Sequence, residues 1–108
     1  MYKRQVLDIE NEDYVPNNIT LHPNYPNPFN PVTNISYDII EESFISIKIK
    51  DIRGRHIITL IDRYHSKGKH IISWDGYNSN GDQQTSGIYF YTIKNEDYSI
   101  TGKMILLK

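Results

Sequence analysis

Cysteine and alanine are both missing from these 108 residues. Without cysteine, neither a disulfide framework nor a thiolate metal site can form, and the redox compartment stays open. Alanine is the best helix former, and isoleucine, tyrosine and asparagine abound in its place, so the balance favours pleated sheet. No apolar run approaches the roughly 18 residues of a membrane span. Neither sign of charge dominates: Lys and Arg total 12, Asp and Glu 13, and the pI is near 6.4. Such a balance lacks the electrostatic footprint of a nucleic-acid or anionic-membrane binder, and no basic face is expected. The start of the chain carries Lys3 and Arg4 with no apolar stretch behind them, so it does not read as a secretory signal peptide. The chain as given is therefore expected to work in the cytoplasm or to be the tail of a longer protein.

What is present is organised as strands. At this length one domain is expected, able to bury roughly 60–68% of its unfolded surface. Residues 1–18 are polar, with Asp8, Glu10, Glu12 and Asp13 close together and Val6, Leu7 and Ile9 as a short strand candidate. They read as a linker or the end of a preceding domain, with the folded domain at 19–108. From Val32, strand signals recur at roughly 8–12 residue intervals, the spacing of a sandwich or barrel. Thr33, Ile35, Tyr37 and Ile39 alternate with polar residues, as do Ile45, Ile47 and Ile49. Gly54 falls where a three-residue hairpin loop needs a left-handed residue, and Asn80-Gly81 is a strong hairpin-turn pair. His70, Ile72 and Trp74 share one face, with Trp74 expected in the core, and the polar turn 95–97 joins the last two strands. With a short strand near Ile19 and Leu21 the count is about seven. The expected fold is all-β, an Ig-like or fibronectin-III-like antiparallel β-sandwich.

Little in the chain points to catalysis. His22, His56, His65 and His70 would need to converge from neighbouring strands to hold zinc, and they read as surface or strand-edge residues. Glu41 and Glu42 are adjacent, so on a strand they face opposite sides, and a solvated turn suits them better. The stretch after Trp74 matches a calcium loop at Asn78, Asn80 and Gly81, but Gly76 and Gly87 stand where its first and twelfth ligands belong. Asp75, Asn78 and Asn80 are instead expected to bond turn backbone. Ser66, Ser73, Ser79 and Ser86 lack a nucleophile-elbow context, and no phosphate-cradling or dinucleotide motif occurs. Asn18 and Asn34 head glycosylation sequons of a kind that arises often in an Asn-rich chain. Tyr89 and Tyr91 share a strand face, so with Trp74 they form a candidate sugar-stacking platform, weighed against packing on cross-strand neighbours. No enzymatic activity, cofactor, metal or small-molecule substrate is expected.

Four stretches taken together carry a resemblance. They are LHPNYPNPFNPVTNISYDI from Leu21, IKDIRGRHIITLID from Ile49, GKHIISWDGYNSNGDQQTSGIYFYTI from Gly68, and GKMILLK from Gly102 to Lys108. In this order they resemble the C-terminal sorting domain (type A) of proteins exported by the type IX secretion system, a group that overlaps with the Ig-like domain of the flagellar hook-capping protein. The matching motif positions are Asn24, Pro26, Asn27, Pro28, Phe29, Asn30 and Pro31, then Trp74, Asp75, Gly76, Gly81, Gly87 and Tyr89. Departures fall at Ile40 to Ser43 and at Ser66-Lys67-Gly68, both in turns. The resemblance implies a sorting label at the end of a larger cargo, with no catalysis of its own. Its partners would be an outer-membrane secretion translocon, a sortase-like peptidase cutting in the linker, and an N-terminal cargo domain. The bearer would be secreted or held at the cell surface via the periplasm. Gly102, Lys103, Met104, Ile105, Leu106, Leu107 and Lys108 would be the recognised element, read by strand addition at an exposed edge. Met104 and Leu106 face one way, and Lys103, Ile105 and Leu107 the other. Two other classes fit the residues: a structural or adhesive Ig-like module with self-association, and a carbohydrate-binding module.

The prolines form the last expectation. Pro23, Pro26, Pro28 and Pro31 fix their own φ and push the preceding residues toward extended geometry. They predict a stiff segment with few backbone donors, in which Asn27 and Asn30 bond neighbouring backbone. Tyr25 and Phe29 would plug the open end of the sandwich.

Overall fold

The computed structural model describes residues 19–108. The linker, the Val6 to Ile9 strand and the Asn18 sequon expected upstream lie outside the described residues. Seven strands run in order: β1 (Ile19–Leu21), β2 (Thr33–Ile39), β3 (Ser43–Asp51), β4 (His56–His65), β5 (Gly68–Trp74), β6 (Gly87–Lys94) and β7 (Ser99–Leu106). They form two antiparallel sheets, one ordered β1-β2-β5 and the other β4-β3-β6-β7. This is the expected sandwich, and no described residue is helical.

Alternation builds the core. Ile35, Tyr37 and Ile39 from β2 meet Ile45, Ile47 and Ile49 from β3, with Tyr91 and Ile93 from β6 and Met104 and Leu106 from β7. β-branched side chains restrict χ1 and fit a pleated surface, so the isoleucine-rich strands fill this layer at little rotameric cost. The β3–β4 hairpin turns at Gly54, whose φ is +83° and whose N–H donates to Asp51 O at 2.9 Å. Asp51 also accepts the Arg53 and Arg55 amides, each at 2.9 Å, which holds its carboxyl below the usual carboxylate range. Glu41 and Glu42 occupy the exposed turn where the chain passes from one sheet to the other.

Asn80-Gly81 does not connect two paired strands. β5 and β6 lie in different sheets, and the pair instead closes a small turn inside the intervening loop, bracketed by a Tyr77–Gln83 bridge. Asn78 Oδ1 accepts the Asn80 and Asp82 amides at 3.0 and 2.8 Å, so local side-chain bonding replaces strand pairing there.

Candidate functional site

The proline segment ties the two sheets together at one end of the sandwich. It is anchored first to β2: Tyr25 and Asn34 exchange backbone hydrogen bonds of 3.0 and 2.9 Å, and Thr33 Oγ1 donates to Pro26 O at 2.8 Å. Buried Asn24 donates from Nδ2 to Thr33 Oγ1 at 3.0 Å, while its Oδ1 is the buried side-chain acceptor without a partner among the described residues. The Tyr25–Pro26, Asn27–Pro28 and Asn30–Pro31 peptide bonds are cis. The segment then crosses to β7 and lies along its outer edge. Phe29 N–H donates to Ile105 O at 2.9 Å and Leu107 N–H donates to Phe29 O at 3.0 Å, a parallel bridge. Pro28 has no N–H to offer, and the Asn27 side chain acts in place of backbone. Its Oδ1 accepts the Ile105 amide at 3.0 Å, and its Nδ2 donates to Lys103 O at 3.4 Å.

This corrects two expectations. Asn27 bonds the last strand, far away in sequence, and not its own neighbours; no such bond is formed by the Asn30 side chain among the described residues. The outer edge of β7 from Lys103 to Leu107 is covered, and among the described residues no strand pairs along that edge at its Ser99 end. Phe29 does plug the sandwich, at 1% exposure, but Tyr25 is 79% exposed and plugs nothing. Asn24, next to Tyr25, is the residue turned inward at the β2 edge, so the Tyr25 ring turns outward there.

The other quoted motifs converge on Phe29. Its ring lies 5.6 Å from Trp74, and Trp74 lies 5.2 Å from Tyr89 in an edge-on contact. Trp74 Nε1 donates to Tyr77 O at 2.9 Å, and the Tyr89 hydroxyl donates to Thr85 O at 2.7 Å. Gly76 turns the chain with φ +84°, and a Cβ there would sit 3.6 Å from Pro31 O and 3.7 Å from Leu106 Cδ2. The Trp-Asp-Gly turn, the proline segment and the last strand thus share one packing unit. The Lys108 amide donates to Ser86 Oγ at 2.9 Å, fixing the chain beyond β7.

Residues Gly102 to Lys108 divide by face. Met104 and Leu106 are fully buried. Gly102 also faces inward, beneath the Tyr91 ring, where any Cβ would overlap Tyr91 Cζ and Oη. Burial raises the Tyr91 phenol pKa, an effect partly offset by the Asn24 backbone amide. Lys103, Ile105 and Leu107 point outward as expected, with Leu107 51% exposed. Sequence reasoning missed the Gly102–Tyr91 pairing and the Asn27 bonds. The signal for the second was present, since an asparagine between two prolines is a donor and acceptor placed where backbone donors have been removed.

The remaining candidates do not assemble a reaction centre. Trp74, Tyr89 and Tyr91 are buried, so they pack in the core and the candidate sugar platform has no exposed face. Among the described residues no three His, Cys, Asp or Glu gather as metal ligands. His22 bonds Asp38 at 2.9 Å and His56 bonds Thr59 at 2.8 Å. His65 lies on the edge strand β4 but is not at the surface: it is 5% exposed, bonds the Tyr37 hydroxyl through Nε2 at 2.7 Å, and lies 4.7 Å from the His70 ring. Desolvation pushes its pKa below the ordinary histidine value, with the His70 and Arg63 charges acting in the same direction.

Comparison with known proteins accords with this arrangement. The family profile described as "Secretion system C-terminal sorting domain" matches residues 24–107. Dimeric latent PorU from Porphyromonas gingivalis is similar in structure, with TM-score 0.67 and 18% identity over 88% of this chain and 10% of that one. PorZ, an essential bacterial surface component of the type IX secretion system of the same organism, has TM-score 0.57 and 18% identity over 82% and 11%. The chain therefore spans about a tenth of the length of either protein. No match was found among curated proteins. With its motifs folded into one unit and the profile spanning nearly all of the described sandwich, the chain belongs to the type IX secretion C-terminal sorting domains, whose bearers are secreted or surface-attached through that system.

Proposed function

We propose that this domain is a non-catalytic address label whose readable part is the outward side-chain row of β7. An N-terminal cargo would travel with it, an outer-membrane translocon would read the row, and a sortase-like peptidase would cut within residues 1–18. The observation that carries this reading is the division of the terminal stretch. Met104 and Leu106 belong to the core, while Lys103 on β7 and Leu107 and Lys108 just beyond it remain exposed. A receptor adding a strand at Lys103 to Leu107 would first have to displace Asn27 to Phe29, including the buried Phe29 ring. Side-chain pockets that dock the outward row need no such displacement.

The test is a reporter fused upstream of the domain in a type IX-competent bacterium, with Lys103→Glu, Leu107→Asp and Lys108→Glu combined. These exposed positions leave the core intact, so the isolated variant should keep its unfolding free energy within about 1 kcal/mol. Export should fall to background. Full export from a folded variant would remove the outward row as the signal.

A further inference from the structure

The outer face of the four-stranded sheet gathers lysines from three strands. Lys48 and Lys50 on β3, Lys94 on β6 and Lys103 on β7 all project from this face. Balanced total charge hid this grouping, contrary to the expectation that no basic face exists. The anionic side chains near it are Asp62, opposite Ser46, and Glu96 in the following turn. None of the four ammonium groups has an ion pair or hydrogen bond among the described residues. Lys48 pairs with Thr92 and Ser46 pairs with Lys94, so Lys48 and Lys94 are diagonal neighbours, with Cβ atoms roughly 7–8 Å apart.

Two hollows meet over this register. One, of about 200 Å³, is lined by Lys48, Lys50 and Lys94 with the hydroxyls of Ser46, Thr92 and Ser99. The second, of about 260 Å³, shares Ser46, Lys48 and Lys94 and extends to Asn95, Glu96, Asp62 and Phe44. Phe44 packs edge-on against Tyr64 at 5.4 Å, and Tyr64 is 63% exposed. The groove therefore runs from lysines and hydroxyl donors at one end, past Asp62 and Glu96, to an exposed aromatic pair at the other.

We propose that this groove binds an acidic saccharide. Its phosphate or carboxylate sits among Lys48, Lys50 and Lys94, one sugar ring lies against Tyr64 and Phe44, and Asp62 accepts hydroxyl protons between them. Ammonium groups neutralise the acid, hydroxyls complete its hydrogen bonding, and the aromatic surface takes up the apolar face of the ring. The buried Tyr89 and Tyr91 have no part in it. The proposal is independent of the sorting reading, because neither hollow is lined by Lys103, Leu107 or Lys108.

The test is NMR titration of the domain with tetragalacturonate, glucose 6-phosphate, a neutral tetrasaccharide and inorganic phosphate. At least one acidic sugar should shift the amides of Ser46, Lys48, Thr92 and Lys94 saturably, and the tighter of the two identifies the acid. The neutral sugar and free phosphate should each bind at least tenfold more weakly. Lys94→Gln should weaken the acidic sugar about tenfold and Tyr64→Ala severalfold, both at exposed positions that leave the fold unchanged. Absence of saturable shifts with either acidic sugar overturns the proposal. So does equal binding of free phosphate, or indifference to both substitutions.

Discussion

Leu106→Ala and Leu107→Ala change neighbouring leucines in the same terminal stretch, and the structure assigns them opposite consequences. Leu106 is 1% exposed, packs within the Phe29, Trp74 and Tyr89 cluster, and has a Cδ atom 3.7 Å from the position a Gly76 Cβ would take. Truncating a buried leucine costs about 2–5 kcal/mol, more where the surroundings cannot collapse into the space. Collapse is restricted here, because β7 is bonded to β6 on one side and to Phe29 on the other. A loss of about 3 kcal/mol or more is therefore expected, which lowers Tm by roughly 12–24 °C for a domain of this size. Leu107 is 51% exposed, and its truncation should stay within about 0.5 kcal/mol. Urea unfolding followed by Trp74 fluorescence reads both, since the indole lies in the affected cluster. Coincident unfolding curves for the two variants would refute the claim that the terminal strand is part of the core. The pair also separates two causes of a lost export signal: Leu106→Ala would act through folding, and Leu107 substitutions, on the proposed reading, through recognition.

Three further outcomes follow from the same packing. Phe29→Ala should cost about 3–5 kcal/mol while Tyr25→Ala is near neutral, and equal costs in thermal melts would contradict the division of the proline segment. Gly102→Ala should destabilise by roughly 1–3 kcal/mol by forcing the buried Tyr91 ring to move, and an unchanged melting temperature would argue against that contact. His65 should titrate below 6.5 by NMR, because burial disfavours its charged form. Its unfolded state then binds a proton more readily, so this residue's contribution weakens the fold as pH falls below 6.5 and levels off below the folded pKa. A midpoint at or above 6.5 would contradict the buried Tyr37–His65 arrangement.

Much of the sandwich was legible because period-2 alternation is a local property. Ile45, Ile47 and Ile49 had to face one way, and a strand with one apolar face has one register that buries it. Phe29 and Trp74 were legible for a similar reason, being large apolar rings amid polar turns. Tyr25 was not, because the outward turn of its ring follows from its pairing with Asn34, which composition does not encode. The covering of β7 by Asn27 and Phe29 joins positions more than 70 residues apart in sequence. Nothing local marks such a pairing beyond the missing proline donors. The lysine face was hidden for the converse reason: a whole-chain charge balance says nothing about which sheet surface each charge occupies. Asn80-Gly81 made a tight turn, but turn chemistry alone could not say that the flanking strands enter different sheets.

The most direct test of the sorting assignment is export of a reporter fused upstream of this domain in a type IX-competent bacterium, compared with the same fusion lacking Met104 to Lys108. The account predicts that the full fusion reaches the cell surface or the medium and the shortened one does not. Undiminished export of the shortened fusion would contradict it.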